Sequence, residues 1–254
     1  MSKPKKPTPE KPTKAVVVGV GAHAGLGGAL CRRFAAEGHH VLVASRTAER
    51  IEEIANGIRA DGGQATAVPT DATVEDDVIR LFDRAMADDD TGPGDLVVFN
   101  AGNNARGDLD TMSATFFEDV WRSRCLSGFL VGREASRRLG AQGHGTVIFT
   151  GATASLRSRP PCTAFASAKA ALRALAQSMA RDLGPKGVHV AHVIIDGGIN
   201  GELLRSRAPE IVEKLGEDGL LDPDAIADAY WHLHSQARTA WTFELDLHPS
   251  KESF

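Results

Sequence analysis

The sequence is poor in several features that mark other classes of protein. Its three cysteines (Cys31, Cys125 and Cys162) are far apart and form no C-x-x-C pair, which argues against a disulfide framework and for a reducing compartment. It contains no run of about 18 apolar residues and no apolar N-terminal signal segment. A formal net charge of only -4 argues against nucleic acids or a membrane surface as partners. We therefore expect a cytoplasmic protein with neither kind of partner.

The pattern that is present predicts one α/β domain. Of the 254 residues, 42% are hydrophobic and 24% charged, as in soluble globular proteins. Short apolar runs alternate with segments of helical periodicity, which predicts a doubly wound parallel sheet of the Rossmann type. We expect this domain at 14–254, after a disordered Lys/Pro-rich tail at 1–13. The predicted strands are 15–18, 41–44, 65–69, 96–99, 146–150, 188–195 and 240–247, and the predicted helices 26–38, 47–61, 74–89, 113–139, 162–183, 202–217 and 222–235.

A glycine-rich loop joins the first predicted strand to the first helix. It reads Val20-Gly21-Ala22-His23-Ala24-Gly25-Leu26-Gly27, with the spacing G-x-x-x-G-x-G. Glycines let a pyrophosphate approach the backbone, and the helix N-terminus supplies N–H donors. The alternative alignment Gly19-x-Gly21-x-x-Ala24 fits the general dinucleotide fingerprint. Either alignment, placed after a buried strand, predicts a dinucleotide site.

The end of the second strand indicates which dinucleotide is bound. The segment Val43-Ala44-Ser45-Arg46-Thr47 has no acidic residue before Glu49 that could accept hydrogen bonds from a ribose 2′-hydroxyl. Arg46 can pair with a 2′-phosphate through its planar fork, and Ser45 can add a hydroxyl contact. The sequence thus favours NADP(H) over NAD(H), the alternative being a solvated arginine at the start of a helix.

Further landmarks, in the proper order, resemble those of the short-chain dehydrogenase/reductase family. Asp71, in VPTDAT, ends the third strand, and Asn100-Ala101-Gly102 follows the fourth. After 188–195 the family has Pro-Gly-x-Ile-x-Thr, whereas this chain has Asp196-Gly197-Gly198-Ile199-Asn200-Gly201. The resemblance implies a cofactor site made of Gly21, His23, Gly25, Leu26, Gly27, Ser45, Arg46, Asp71, Ala72, Asn100, Ala101, Gly102, Lys169, Gly197 and Ile199.

The segment 145–174 resembles the catalytic strand, loop and helix of that family, with important replacements. The family places a Ser after the strand, Tyr-x-x-x-Lys on the helix and an Asn on the preceding long helix. Here Lys169 is retained, while Ala152, Phe165 and Cys125 occupy the Ser, Tyr and Asn positions. The resemblance implies that the Tyr transfers the proton. Because general acid–base help is worth about 10²–10⁴ in rate, ordinary ketone reduction should be severely impaired.

Other groups in the same segment could replace the missing acid or contact a substrate. Candidates are the hydroxyls of Thr153, Ser155, Thr163 and Ser167, the Cys162 thiol and His23. Cys162 stands where the family's enoyl reductases have their Tyr, although a small buried cysteine is favoured. Reduction of an activated C=C bond needs only stabilisation of an enolate, and dienoyl-CoA-type reductases of the family also lack the Tyr. Thr153, Arg157 and Cys162 are candidate substrate contacts. Arg157, Arg159, Arg205 and Arg207 could hold an anionic substrate such as an acyl-CoA, with solvated charges as the alternative.

Two functional hypotheses follow. The first is an NADP(H)-dependent oxidoreductase with a degenerate catalytic site, reducing an activated C=C bond or a carbonyl of a small molecule; the second is a catalytically silent NADP(H)-binding sensor or partner protein. No metal site is predicted, because the pairs His189/His192 and His232/His234 have no carboxylate or cysteine at ligand spacing. Tyr230, the only tyrosine, is predicted to be structural. The resemblance implies a homodimer or homotetramer built through the helices 113–139 and 162–183 and the last strand.

Overall fold

The computed structural model describes residues 11–252, and its parallel sheet follows the predicted alternation closely. The strands are β1 (Lys14–Val18), β2 (His40–Ser45), β3 (Gln64–Pro69), β4 (Gly94–Phe99), β5 (Gly145–Thr150), β6 (Val188–Ile195) and β7 (Glu244–Leu247). They pair in the order β3-β2-β1-β4-β5-β6-β7, with every adjacent pair parallel. The predicted fold class, a doubly wound Rossmann sheet in a single domain, is confirmed.

Helices cover both faces of the sheet. They are α1 (Leu26–Ala36), α2 (Ala48–Ala60), α3 (Glu75–Ala85), α4 (Ala114–Trp121), α5 (Ser127–Gln142), α6 (Thr163–Leu183), α7 (Glu202–Arg207), α8 (Pro209–Leu215) and α9 (Pro223–His234). Among residues 11–252, none of them combines the length and the apolar character that crossing a bilayer requires.

The alternation of side chains along β1 explains the two cores. Ala15 and Val17 pack with the cluster under α1, α2 and α9. Val16 and Val18 point the other way, into the cluster under α3, α5 and α6. Because successive side chains of a strand alternate between faces, a strand covered on both sides must be apolar throughout. This is why the uninterrupted run Ala15-Val16-Val17-Val18 identified the strand.

Several predicted boundaries were wrong. The long helix expected at 113–139 is α4 and α5 joined by a π-helical turn, Arg122–Leu126, although its predicted N-cap is observed: the Phe116 amide donates to Ser113 Oγ at 3.1 Å. The segment 202–217 forms two short helices, since Pro209 begins the second. The last strand is confined to Glu244–Leu247.

The predicted disordered tail at 1–13 lies mostly outside the described residues, as do residues 253–254 of the chain's end. Two of its last residues are bound to the sheet, because the Gly92 amide donates to Pro12 O at 2.8 Å and the His40 amide to Thr13 O at 2.9 Å. Pro12 and Thr13 therefore contact the rest of the domain, and the bounds of the tail and of the domain stay predictions.

Candidate active site

The glycine loop and the Asn100-Ala101-Gly102 loop meet where the strand order reverses, between β1 and β4. Gly19 adopts φ +89°, and a Cβ added to it would lie 2.5 Å from Ala101 N and 2.6 Å from Ala101 Cα. Asn100 Nδ2 also donates to Gly19 O at 3.3 Å. Such a switch point at the carboxyl ends of the strands is where open α/β sheets bind their ligands.

Within the glycine loop, the structure separates residues that face open space from those that pack. A Cβ added to Gly21 would meet no atom of the described residues within 4 Å, whereas one on Gly27 would lie 2.9 Å from Val20 Cα. Gly28, which was not predicted, packs directly under the His23 carbonyl. That carbonyl accepts a hydrogen bond from Arg32 Nη1 at 2.8 Å. The loop is thus fixed by α1 and leaves the backbone near Gly21 accessible.

Arg46 and Asp71 lie near each other at the ends of β2 and β3. Asp71 Oδ1 accepts hydrogen bonds from the amide and the hydroxyl of Thr73, at 2.9 and 2.7 Å. Burial alone would raise the pKa of Asp71, but these hydrogen bonds and the positive charge of Arg46 lower it. Arg46 is exposed, with Ser45 and Ala72 partly buried beside it. A guanidinium therefore stands in the open at this end of the cleft.

The end of β5, the loop that follows it and α6 form one wall of the cleft, the β5–α6 wall, and Lys169 is buried in this wall. Only 2% of the residue is exposed, and its Nζ donates to Thr150 O at 2.8 Å. The same Thr150 exchanges a hydrogen bond of 2.8 Å with Tyr230 OH through its side chain. Burial, with a smaller contribution from the charge of Arg124, lowers the pKa of Lys169 to about 7. The amine is therefore able to gain or lose a proton near neutral pH.

The Phe165 ring is close to two basic side chains, Lys169 and Arg124, and the sequence had not pointed to Arg124. Lys169 Nζ and Arg124 Cζ are each 5.9 Å from the centre of the Phe165 ring. Arg124 is held in place by its Nε and Nη2 atoms, which donate to Asn103 O at 3.1 and 2.7 Å. Its aliphatic chain packs against Gly102. The only signal in the sequence was its place beside Cys125, at the family's Asn position.

The remaining replaced positions provide no ready acid. Cys125 is buried in the π-helical turn, and burial raises the pKa of its thiol. Ala152 contributes only backbone groups: its amide donates to Ser155 Oγ at 3.1 Å, and its carbonyl accepts from the Ser155 amide at 2.8 Å. Cys162 is partly buried, with its Sγ 3.5 Å from Asn104 Oδ1.

Asp196 accepts hydrogen bonds from two of the candidate substrate contacts, Thr153 and Arg157. It is 4% exposed; its Oδ2 accepts a hydrogen bond from Arg157 Nη2 at 2.7 Å and its Oδ1 a short one from Thr153 Oγ1. The Arg157 charge expected to hold an anionic substrate is thus already paired. Arg205 donates to Asn200 Oδ1 at 2.9 Å, at the start of α7. Because a Cβ on Gly201 would lie 3.0 Å from Ala24 O, this segment begins against the glycine loop.

A second buried network lies behind the wall and was also missed. His192, fully buried in β6, has Nε2 3.5 Å from Ser155 Oγ and Nδ1 3.0 Å from Glu244 Oε2. Glu244 accepts two hydrogen bonds from Arg173, at 2.6 and 2.8 Å. Burial lowers the pKa of His192 to about 4 although Glu244 acts in the opposite direction. Neutral His192 therefore links the loop after β5 to the edge strand β7.

Together, fold and site define a Rossmann-type dinucleotide fold with a lysine-bearing wall beside the switch point. Comparison with known proteins identifies the family: residues 14–211 match the family model described as short chain dehydrogenase, and the chain belongs to that family. The predicted family is thus confirmed.

Two relatives similar to this chain carry the names of oxidoreductases. The uncharacterized oxidoreductase YuxG of Bacillus subtilis (strain 168) is 35% identical over 195 residues, 76% of this chain but only 28% of that longer protein. The 7alpha-hydroxysteroid dehydrogenase of Escherichia coli (strain K12) is 30% identical over 228 residues, covering 88% of this chain and 87% of that enzyme.

Solved structures share the fold across nearly the whole chain. A short-chain dehydrogenase from Rhodopseudomonas palustris is 38% identical, with a TM-score of 0.80, covering 93% of this chain and 98% of that one. A 7 alpha-hydroxysteroid dehydrogenase complexed with NADH and 7-oxo glycochenodeoxycholic acid is 28% identical, with a TM-score of 0.83, covering 94% and 93%.

Proposed function

We propose that the protein is an NADP(H)-dependent oxidoreductase that reduces an activated C=C bond or a carbonyl of a small molecule without the family's tyrosine. The observation that carries the proposal is the buried Lys169 amine, whose pKa of about 7 puts a transferable proton in the wall of the cleft. Burying a charged amine is costly unless it is paired: the equally buried Lys14 is paired with Asp89 and three carbonyl oxygens, whereas Lys169 donates only to Thr150 O among the described residues. Its retention beside Phe165 indicates a chemical role.

The residues present fit a bound dinucleotide. The open backbone near Gly21 and the N-terminus of α1 would accept the pyrophosphate, Asp71 and Asn100 would border the adenosine, and Lys169 would bind the nicotinamide ribose. When bound, NADPH supplies a hydride. Arg46 supports the choice of NADP(H), because its exposed guanidinium can pair with a 2′-phosphate and no carboxylate replaces it at the end of β2.

The protein's own contribution is to hold charge and proton around the reacting group. Phe165 contributes no proton, but Lys169 and Arg124 place two cationic groups on its ring. Positive charge at this point would stabilise an enolate-like anion more than the neutral substrate. A compound with an activated C=C bond is therefore the substrate class whose reduction depends least on a proton-donating tyrosine.

The second candidate function is a catalytically silent NADP(H)-binding protein. It is favoured by the pairing of Thr153 and Arg157 with Asp196, which removes two groups from contact with a substrate. It would also explain why Ala152 and Phe165 carry no hydroxyl. On this reading the cofactor is a regulatory ligand and Lys169 only helps to hold it.

The cofactor is tested by titrating the chain with NADPH and with NADH while following nicotinamide fluorescence. We expect Arg46→Ala to weaken NADPH binding by about tenfold or more, equal to about 1.4 kcal/mol, and to leave NADH binding unchanged. Arg50→Ala, which removes another exposed arginine of the same region, is the matched control. Equal losses for both cofactors would contradict the 2′-phosphate role of Arg46.

The reaction is tested by following NADPH oxidation with a panel of ketones, enones and enoyl thioesters. Turnover of an enone or thioester, lost in Lys169→Met, supports the first function. If NADPH binds and no compound is reduced, the silent function is supported. The double variant Phe165→Tyr with Ala152→Ser should then gain carbonyl reduction by about 10²–10⁴ over the parent. Failure to gain any rate would mean that the wall is not arranged as a family active site.

We expect a homodimer or homotetramer formed through α4, α5, α6 and the last strand, β7. Large apolar side chains are 37–41% exposed on the first two of these helices, and exposed apolar side chains of this size favour an interface between copies of the chain. They are Phe116, Phe117, Trp121 and Phe129. Sedimentation equilibrium tests the expectation, with a monomer at micromolar concentration as the contrary outcome.

A further inference from the structure

A cluster of nitrogen and oxygen donors lies at the amino ends of the strands, opposite the cleft. His39 precedes β2, Asp95 is the second residue of β4, and His234 ends α9. One nitrogen of each histidine and one carboxylate oxygen all lie within 4.8 Å of one another. His39 Nε2 and Asp95 Oδ1 are 3.1 Å apart. Three ligating side chains from three elements therefore converge at one point.

Neighbouring polar groups hold the side chains of the cluster in place. His39 is 6% exposed and turns Nε2 toward Asp95 Oδ1, so Nε2 is the nitrogen that would bind the ion. His234 Nδ1 is 2.9 Å from Thr146 Oγ1, and the Thr13 side chain hydrogen-bonds Asp95. Outer contacts of this kind orient the ligands of metal sites.

We propose that His39, Asp95 and His234 bind a divalent transition-metal ion of the Zn²⁺ type. Two imidazoles and one carboxylate suit Zn²⁺ or Co²⁺, whereas Mg²⁺ and Ca²⁺ prefer oxygen ligands. Zn–N and Zn–O bonds of about 2.0–2.2 Å put tetrahedral ligands about 3.4 Å apart. The His39–Asp95 pair, at 3.1 Å, is already close to this spacing, and because all three ligand atoms lie within 4.8 Å of one another, no pair needs to close by more than about 1.4 Å. Water completes the coordination.

The position of the site assigns it a structural task. Lys169 and the cleft lie at the carboxyl ends of the strands, and this cluster lies at their amino ends. A bound ion would tie α9 to β2 and β4. Since α9 also carries Tyr230, which hydrogen-bonds Thr150, the ion would stabilise the packing behind the catalytic wall. Metal binding would thus raise stability without taking part in hydride transfer.

The test is titration of the purified full chain with ZnCl₂, followed by calorimetry and by thermal unfolding. We expect one equivalent of Zn²⁺ to bind and to raise the melting temperature, while MgCl₂ at the same concentration does neither. His234→Gln and Asp95→Asn should each weaken Zn²⁺ binding at least tenfold. His232→Gln, which removes an exposed histidine from the same helix, is the matched control and should bind as the parent does.

A measurement on the unaltered chain covers the case in which these variants do not fold. Co²⁺ bound to two nitrogens and one oxygen gives visible d–d absorption, which Zn²⁺ should abolish by displacement. Trp231 lies 5.8 Å from His39 and 5.3 Å from His234 by ring centroids, so its fluorescence should be quenched by Co²⁺. Absence of saturable Co²⁺ absorption, or Zn²⁺ binding lost in His232→Gln but kept in His234→Gln, would overturn the proposal.

Discussion

Replacing Gly19 with alanine tests the contact between the glycine loop and the Asn100-Ala101-Gly102 loop, on which the proposed cofactor cleft depends. The residue has φ +89°, where a side chain costs about 1–2 kcal/mol. The new Cβ would also lie 2.5 Å from Ala101 N and 2.6 Å from Ala101 Cα, which are backbone atoms that cannot rotate away. Forcing such an overpacked contact costs a further 1–3 kcal/mol or so. We therefore expect Gly19→Ala to lower the free energy of unfolding by about 2–5 kcal/mol.

Gly38→Ala provides the matched control. Gly38 has φ +94°, but a Cβ there would meet no atom of the described residues within 4 Å. It should therefore show the backbone cost alone, about 1–2 kcal/mol. In urea denaturation and thermal unfolding, the two variants should differ by about 1–3 kcal/mol, or about 2–12 °C in melting temperature. Because the clash displaces Asn100 and Ala101, NADPH binding should weaken in Gly19→Ala alone. Equal stability of the two variants would refute the packing of the two loops.

Two further predictions concern protonation. Because burial lowers the pKa of Lys169 to about 7, the reduction rate of any active substrate should fall as pH rises through that value, and Lys169→Arg, which keeps its charge, should abolish the inflection. Burial likewise lowers the pKa of His192 from 6.5 to about 4. As pH falls, the unfolded chain therefore binds this proton before the folded chain does. The free energy of unfolding drops by about 3 kcal/mol between pH 6.5 and 4 because of His192 alone. In urea denaturation, the free energy of unfolding should fall less between pH 7 and pH 5 in His192→Gln than in the parent. An equal fall in both proteins would contradict the assignment of this effect to His192.

Asp196 is the departure from the family pattern with the clearest consequence. It stands where the family has proline, and it neutralises Arg157 while accepting a hydrogen bond from Thr153. A carboxylate so placed narrows the choice of substrate, because an anion approaching Arg157 must compete with Asp196. A neutral or conjugated substrate would not meet this competition. The pairing therefore agrees better with an enone than with an acyl-CoA held by Arg157.

Much of the fold was predictable because its signals are local. The apolar run at β1 and the Ser113 cap depend only on neighbouring residues, and both were identified correctly. The glycine loop was recognisable because its place between strand and helix is set by the chain itself. The π-helical turn between α4 and α5 was not predicted, since its residues have the same apolar periodicity as a continuous helix.

The sequence by itself determined the order of elements, the family and the residue types at the motif positions, because each is written in short stretches of chain. Only the tertiary structure decided which distant groups meet: Arg124 with Phe165, Asp196 with Arg157, and His39 with Asp95, which are 56 residues apart. The same holds for proton affinity. Lys169 has an ordinary side chain, and its pKa falls to about 7 only because folding buries its amine near Arg124. Such long-range contacts depend on how the helices pack against the sheet, which no local pattern specifies.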